Sequence, residues 1–325
     1  MRQAAAMEVT VVIPTRDRPR HLRTALWSVA QQHGGAPEVV VVDDGSAVPV
    51  AVPAGEAQRV RIVRNARSEG VSGARNRGLA QVTTRWVAFL DDDDVWLPGH
   101  LAQVTAAIAA AERGGRDVGL GYAPVLVCGA ARDLRNTIPA HPPEDVARAL
   151  HGGNVLPTPS CVVVRTDLVR AAGGFDATLT VSADWDLWLG VVAQVPGAAA
   201  GTVPSVLYTQ HDANMHHGAQ TTLTELAEMQ RRYGAPAAQR GVTMPDAGFP
   251  AYLAGTLKTA GQRGAAARWY LRSLRARRRP SDLARAGAAL LGVRPPAALR
   301  RRPQLDGEAA EWLARLRVFE AGGSG

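Results

Sequence analysis

"RWVAFLDDDDVWLP" (residues 85–98) runs from an apolar, strand-like segment into four consecutive aspartates and back to Val95, Trp96 and Leu97. Like charges this close repel, and neutralising them by protonation near pH 7 requires large pKa shifts. An acidic helix N-terminus needs only one or two carboxylates. Magnesium and manganese take hard oxygen ligands, commonly one or two carboxylates completed by substrate phosphates and water. The stretch therefore reads as a buried strand whose end opens onto a cation and a phosphate.

The same pattern recurs on either side. "VTVVIPT" (residues 9–15) is a short β-branched run, followed by "RPRHLRTALWSVAQQ", where Leu22, Leu26 and Val29 keep helical spacing. "EVVVVDDGS" (residues 38–46) is a second strand ending in acid and glycine, and "RVRIVRN" (residues 59–65) a third. "SGARNRGLAQV" (residues 72–82) reads as a helix before the fourth strand, "RWVAFL". Strands alternating with helices, in near-continuous apolar runs, predict an α/β fold with a mostly parallel sheet flanked by helices. Ligands in such sheets sit beyond the carboxyl ends of the strands. The polar clusters at residues 15–17, 43–46 and 91–94 all fall there.

Further along, "LPGHLAQVTAAIAAAER" predicts a helix entered at Pro98, "LGYAPVLVCG" a strand, and "SCVVVRTDLVRAAGGFD" a strand and helix closing at Gly173 and Gly174. "SADWDLWLGVVAQ" (residues 182–194) starts a helix with two acids at its head, and "SVLYTQHDANMHHG" is a strand running into a histidine-bearing loop. Beyond about residue 220 the text turns to Ala- and Arg-rich helical patterns. The expected organisation is a nucleotide-binding and catalytic domain over 1–230 and a basic helical extension over 231–325.

Charge divides the same way. Residues 231–325 carry 18 Lys and Arg against 6 Asp and Glu, a net +12, while the preceding residues hold 19 against 23, a net −4. The tail admits four readings. Arg268, Arg272 and Arg275 on one helical face, with Trp269 and Tyr270 as interfacial anchors, suit peripheral contact with anionic lipid. Nucleic acid lacks a recognised motif and faces an acidic body, so none is expected as partner. A contact between copies and a plain solvated face remain. The start of the chain lacks the apolar core of a signal peptide, and no window of about 18 apolar residues occurs. A cytoplasmic location, with or without membrane-surface contact, is the expectation. Cys128 and Cys161, with no zinc-like spacing, are expected as buried thiols.

Six motifs in order, "VVIPTRDR", "VVDDGS", "GVSGARNRGL", "FLDDDDVW", "GGFD" and "ADWDLWL", resemble the family 2 glycosyltransferases, which have the GT-A fold. The resemblance covers residues 9 to about 215. It implies that Asp44, with Asp43 beside it, binds the nucleotide, and that Pro14, Thr15 and Asp17 line base and ribose. It sets Arg75 and Asn76 near the nucleotide and diphosphate and reads Asp91, Asp92 and Asp93 as the DxD element, with Asp92 toward the ribose and Asp93 on Mn2+ or Mg2+. Asp94 is then a helix N-cap or loop residue. The family's Glu-Asp acid pair reads here Ala183-Asp184, which leaves Asp184 as general base and Asp186 as structural. His211, in "HDAN", is implied as a further metal-side residue. Trp185 and Trp188 are expected to pack, with one of them a candidate platform for an acceptor sugar ring.

The implied activity is inverting transfer of a sugar from a nucleotide-sugar, a UDP-sugar by preference, to an acceptor hydroxyl in polysaccharide, glycolipid or natural-product glycosylation. Two alternatives stay open at this level: a catalytically silent nucleotide-sugar-binding scaffold, and a nucleotidyltransferase. The latter is expected to carry a Gly-rich, lysine-bearing phosphate loop, which "VVIPTRDRPR" lacks. Residues between Cys128 and Pro159, together with the tail, are expected to shape the acceptor site.

Overall fold

The computed structural model describes residues 8–52, 59–210, 219–245, 249–259, 261–278, 280–293, 305 and 307–322. The first half contains β1 (Val9–Thr15), α1 (Pro19–Ala30), β2 (Glu38–Asp43), β3 (Val60–Arg64), α2 (Gly70–Leu79), β4 (Trp86–Phe89), β5 (Val95–Trp96) and α3 (His100–Arg113). Then come β6 (Leu120–Tyr122), β7 (Val125–Cys128), β8 (Leu134–Ile138), α4 (Val146–Leu150), β9 (Val162–Arg165), α5 (Thr166–Ala171), α6 (Ala183–Gln194), β10 (Ala198–Ala200) and β11 (Val206–Thr209). Five helices close the chain: α7 (Ala219–Gln239), α8 (Phe249–Thr259), α9 (Arg263–Arg277), α10 (Pro280–Leu291) and α11 (Gly307–Gly322).

Seven strands form the main sheet in the order β10-β6-β9-β4-β1-β2-β3. The apolar runs of β1, β2 and β4 are buried along their length and pair in parallel, and β3 joins β2 in parallel. Such two-sided burial is what continuous Val and Ile runs specify. β9 alone runs antiparallel to both its neighbours, β4 and β6. On one face α2 lies so close to the sheet that a Cβ at Gly78 would overlap Val12 and sit 3.0 Å from Val42. Only glycine permits that approach.

Register carries the fold to the site. Thr15 pairs with Asp43 across β1 and β2, and Val12 with Phe89 across β1 and β4. The ends of these strands, and the acidic turn at residues 91–94, therefore share one edge of the sheet.

A second, four-stranded sheet, β5-β11-β7-β8, was not expected from the sequence. Its strands are two to five residues long, too short to show a periodicity. α11 returns from the far end of the chain to cover it, and Trp312, Leu313 and Leu316 pack with Val95, Leu97, Leu126 and Leu207. Trp27 of α1 joins them, its ring 5.3 Å from Trp312 and 5.0 Å from Phe319. The change of character expected near residue 230 falls inside α7, whose Leu226, Met229 and Ala237 belong to the main core. α8, α9 and α10 build a small core of their own around Leu253, Leu257, Ala266 and Tyr270. Tyr270 is thus buried and cannot serve as the interfacial anchor expected of it, whereas Arg268, Arg272 and Arg275 are exposed. Among the described residues no helix is long and apolar enough to cross a membrane. Both cysteines are buried free thiols.

Candidate active site

Each of the four aspartates after β4 is partnered, Asp92 and Asp93 sharing one arginine, which is how the chain tolerates them. Asp91 pairs with the buried guanidinium of Arg75. Asp92 accepts a hydrogen bond from Thr15 Oγ1 at 2.7 Å, as the β1–β4 register requires, and one from Arg18 at 3.2 Å. The same Arg18 nitrogen lies 3.0 Å from Asp93. Asp94 is not a helix N-cap, for α3 starts at His100 with Gly99 at its cap. It is a buried anchor that accepts from Thr158 (2.9 Å), Ser160 (2.6 Å) and the Thr209 N–H (2.9 Å), and so ties the turn to the segment before β9 and to β11. Burial, then the charge of Asp93, pushes the Asp92 carboxyl up to about 7. Burial and the charges of Asp93 and Asp91 push Asp94 well above the usual carboxylate range.

This donor set fits a divalent cation. Asp92 and Asp93 present hard oxygens that converge on one nitrogen of the Arg18 guanidinium, at 3.2 and 3.0 Å, so a positive charge already stands between them. Among the described residues no group of three or more His, Cys, Asp or Glu forms a complete cage. His211 lies outside the described residues.

Along the sheet edge, Pro14 is buried within β1. Asp17 holds a left-handed backbone (φ 54°), donates its N–H to Ser46 Oγ at 3.0 Å and accepts from the Ala47 N–H at 2.7 Å, joining the loops after β1 and β2. Asp43 is fully buried and accepts from the Ser46 and Val50 N–H groups and from Arg64. Burial alone would raise its pKa, and these donors more than offset that, holding it below the usual range. Asp44 is bound by four donors: Asn65 (2.8 Å), Ser68 (2.6 Å), and the N–H groups of Glu69 (2.8 Å) and Gly70 (3.0 Å) at the head of α2. They fill the acceptor capacity of a carboxylate, and against the opposing effect of burial they keep its pKa low.

Arg75 reaches from α2 to Asp91, and its guanidinium carbon lies 5.0 Å from the Phe175 ring. Asn76 does not share that direction. Its amide donates to the Phe175 carbonyl and accepts the Phe175 N–H, both at 2.8 Å, clamping the loop before α6 onto α2. Gly174 is at φ 76°, and a Cβ there would overlap Asn76 Oδ1.

Asp184 stands in the first turn of α6, half-buried, accepting from Asn154 Nδ2 at 2.9 Å and the Trp185 N–H at 2.8 Å. Burial pushes its carboxyl up to about 6, while the positive charge of Arg75 and the two hydrogen bonds pull the other way. Asp186 points elsewhere, to Arg232 and Tyr233 of α7 at 2.9 Å each. Trp185 and Trp188 are buried, Trp185 donating to the Leu150 carbonyl, so neither is a platform for a sugar ring. Beside Asn154, Gly152 and Val155 help line a groove of about 850 Å³ that continues past Leu226 to Phe249 and Trp269 of the C-terminal helices. Sequence reasoning missed Arg18, Asn154 and the Thr158–Ser160 anchor. Arg18 has a local signal, an arginine just past a strand end. Asn154 has none, for it sits in a proline-rich loop whose path only the fold defines.

Residues 10–167 match the family model described as Glycosyl transferase family 2. The chain is 33% identical over 280 residues to a pre-mycofactocin glycosyltransferase of Mycobacterium tuberculosis, covering 82% of this chain and 53% of that protein. Over 102 residues it is 42% identical to the succinoglycan biosynthesis protein ExoW of Rhizobium meliloti, covering 29% of this chain and 32% of the relative. The chain thus spans about half the length of the first of these relatives, and less of the second. Among solved structures, residues 1–349 of S. aureus TarS superpose with a TM-score of 0.50 at 17% identity, covering 97% of this chain and 91% of that one. That likeness bears on the fold alone.

Proposed function

The chain belongs to glycosyl transferase family 2 through residues 10–167, and from that premise we propose that it is an inverting glycosyltransferase moving a sugar from a UDP-sugar to an acceptor hydroxyl. One observation carries the reading. Burial raises the Asp184 carboxyl to about 6, Asn154 holds it, and it feels the charges of Arg75 and Asp91, which this reading assigns to the phosphate side. A general base works best with a pKa near the operating pH.

In this reading the uridine lies over the strand ends, along Thr15 and Asp17, with Pro14 and the buried Asp43 supporting the edge from beneath. A base N–H reaching Asp44 replaces one of the four donors there, and Ser68, whose hydroxyl can rotate, is the one to yield. Arg75, paired with Asp91, stands on the diphosphate side. Asp93, with His211 as a further ligand, would hold Mn2+ or Mg2+, and Asp92 beside it faces the ribose. Bound there, such an ion supplies Lewis-acid neutralisation of the charge gathering on the departing diphosphate. With an ion bound there, Arg18 would leave the two carboxylates and turn to a phosphate oxygen.

The acceptor approaches along the groove beside Asn154. Asp184 takes the proton of its hydroxyl as that oxygen attacks the anomeric carbon opposite the leaving group, and the single displacement inverts the configuration. Residues 1–230 form the catalytic unit in this proposal, and the basic helices beyond it wall the acceptor side. The test is Asp184→Asn, which preserves size and donor binding. It should bind UDP-sugar normally and transfer about 10²–10⁴-fold more slowly. Normal turnover by this variant would remove Asp184 from the role.

A further inference from the structure

Arg132 is a charged residue that the proposed chemistry does not use, and yet it is only 3% exposed. It sits in the loop between β7 and β8 with a left-handed backbone, φ 56°, a conformation uncommon for a residue with a long side chain. Its guanidinium is divided between two distant parts of the chain. Nε and one terminal nitrogen grip Glu320 of α11 at 3.0 and 2.8 Å. The other terminal nitrogen donates to the Asp93 carbonyl at 3.2 Å and to the Thr209 hydroxyl, which itself donates to the Asp93 carbonyl. Arg317, one turn before Glu320, donates to the Arg132 carbonyl at 3.0 Å.

Asp93 turns its carboxylate to Arg18 on one side and its main-chain carbonyl to this arginine on the other. Its peptide has no regular strand pairing to define it, since it lies in the turn between β4 and β5. A side chain that points a metal ligand is only as well placed as its own backbone. Partners behind such ligands govern affinity nearly as strongly as the ligands do.

We propose that Glu320 and Arg132 form a positioning relay through which the C-terminal helix sets the Asp93 turn for the cation and the donor diphosphate. The inference rests on the reading of Asp93 as the metal-side carboxylate. α11 is then part of the donor site's support, although it follows the family 2 segment by about 140 residues. Arg132 is the right residue for the task. A planar fork with five donors reaches a carboxylate and a carbonyl at once, which an ammonium cannot do with fixed geometry.

The experiment uses the full chain and compares Glu320→Ala, Glu320→Gln and Arg132→Lys with wild type by calorimetry of UDP binding, with Mn2+ and with chelator, and by amide hydrogen exchange at residues 91–95. Arg23→Ala is the control: Arg23 touches the same end of α11, at the Phe319 carbonyl (3.5 Å) and ring (4.9 Å), without entering the relay. Glu320→Ala should weaken Mn2+-dependent UDP binding by about ten- to hundredfold and speed exchange in the turn. Glu320→Gln, which keeps the acceptor oxygen, should recover part of the loss, and Arg23→Ala should lower Tm without moving UDP affinity. Should Arg132→Lys fail to fold, the two Glu320 variants carry the comparison. Wild-type affinity and wild-type exchange in Glu320→Ala, or an equal loss in Arg23→Ala, would reduce the pair to a staple for α11. If wild type itself bound UDP equally with Mn2+ and with chelator, the metal assignment of Asp93 would fall. The relay would fall with it unless the turn's exchange still answered to Glu320.

Discussion

The amide of Asn154 donates to Oδ2 of Asp184 across 2.9 Å, from a loop thirty residues earlier in the chain. A hydrogen bond to the ionised form lowers a carboxyl pKa. Asn154→Ala should therefore raise the acidic limb of the rate–pH profile above its wild-type position, and reduce kcat more than the KM for donor. A profile unmoved by the substitution would leave Asn154 outside the site.

Since burial holds Asp184 near 6, transfer by the wild type should rise with pH through about 6 and level off above it, because the base acts in its deprotonated form. Stability runs the opposite way. A carboxyl whose folded pKa lies above its unfolded value favours the fold below the unfolded pKa and loses that contribution as pH rises through the folded one. Asp184→Asn should thus be more stable than wild type at pH 7.5, by about 1–3 kcal/mol, and no more stable near pH 3.5. Denaturant titrations at the two pH values decide it.

Arg18 bridges Asp92 and Asp93 in the structure as it stands. Arg18→Gln leaves the two carboxylates facing one another, so its Tm should fall in chelator. Mn2+ should restore it, through binding to the folded state alone. The Tm gain from Mn2+ should be larger in Arg18→Gln than in wild type. An equal gain in both proteins would mean that arginine and cation do not share a place.

Gly78 lets α2 rest on the sheet, and a Cβ there would overlap Val12. Gly78→Ala should cost about 1–3 kcal/mol, as overpacking of a full core does, despite alanine's better helix propensity. Unchanged unfolding by denaturant would show that α2 can move away freely.

Much of this protein follows from local pattern. The β-branched runs of β1, β2 and β4, the apolar spacing of α1, and glycines at positive φ ending α5 are all properties of neighbouring residues, and they suffice for an α/β sheet with acids at its carboxyl edge. The order of six short motifs was enough to point to the family. What each acid does was decided by residues far away in the chain. Asp94 looks in sequence like its three neighbours, and only the arrival of Thr158, Ser160 and Thr209 makes it an anchor. Asp184 and Asp186 share one helical turn, but the first meets Asn154 and the second Arg232. The antiparallel insertion of β9, the second sheet and the return of α11 have no local signature either. A carboxylate's role depends on burial and on the charges and donors within a few ångströms, and those are set by strand register and chain return, which come into being only when the chain is packed.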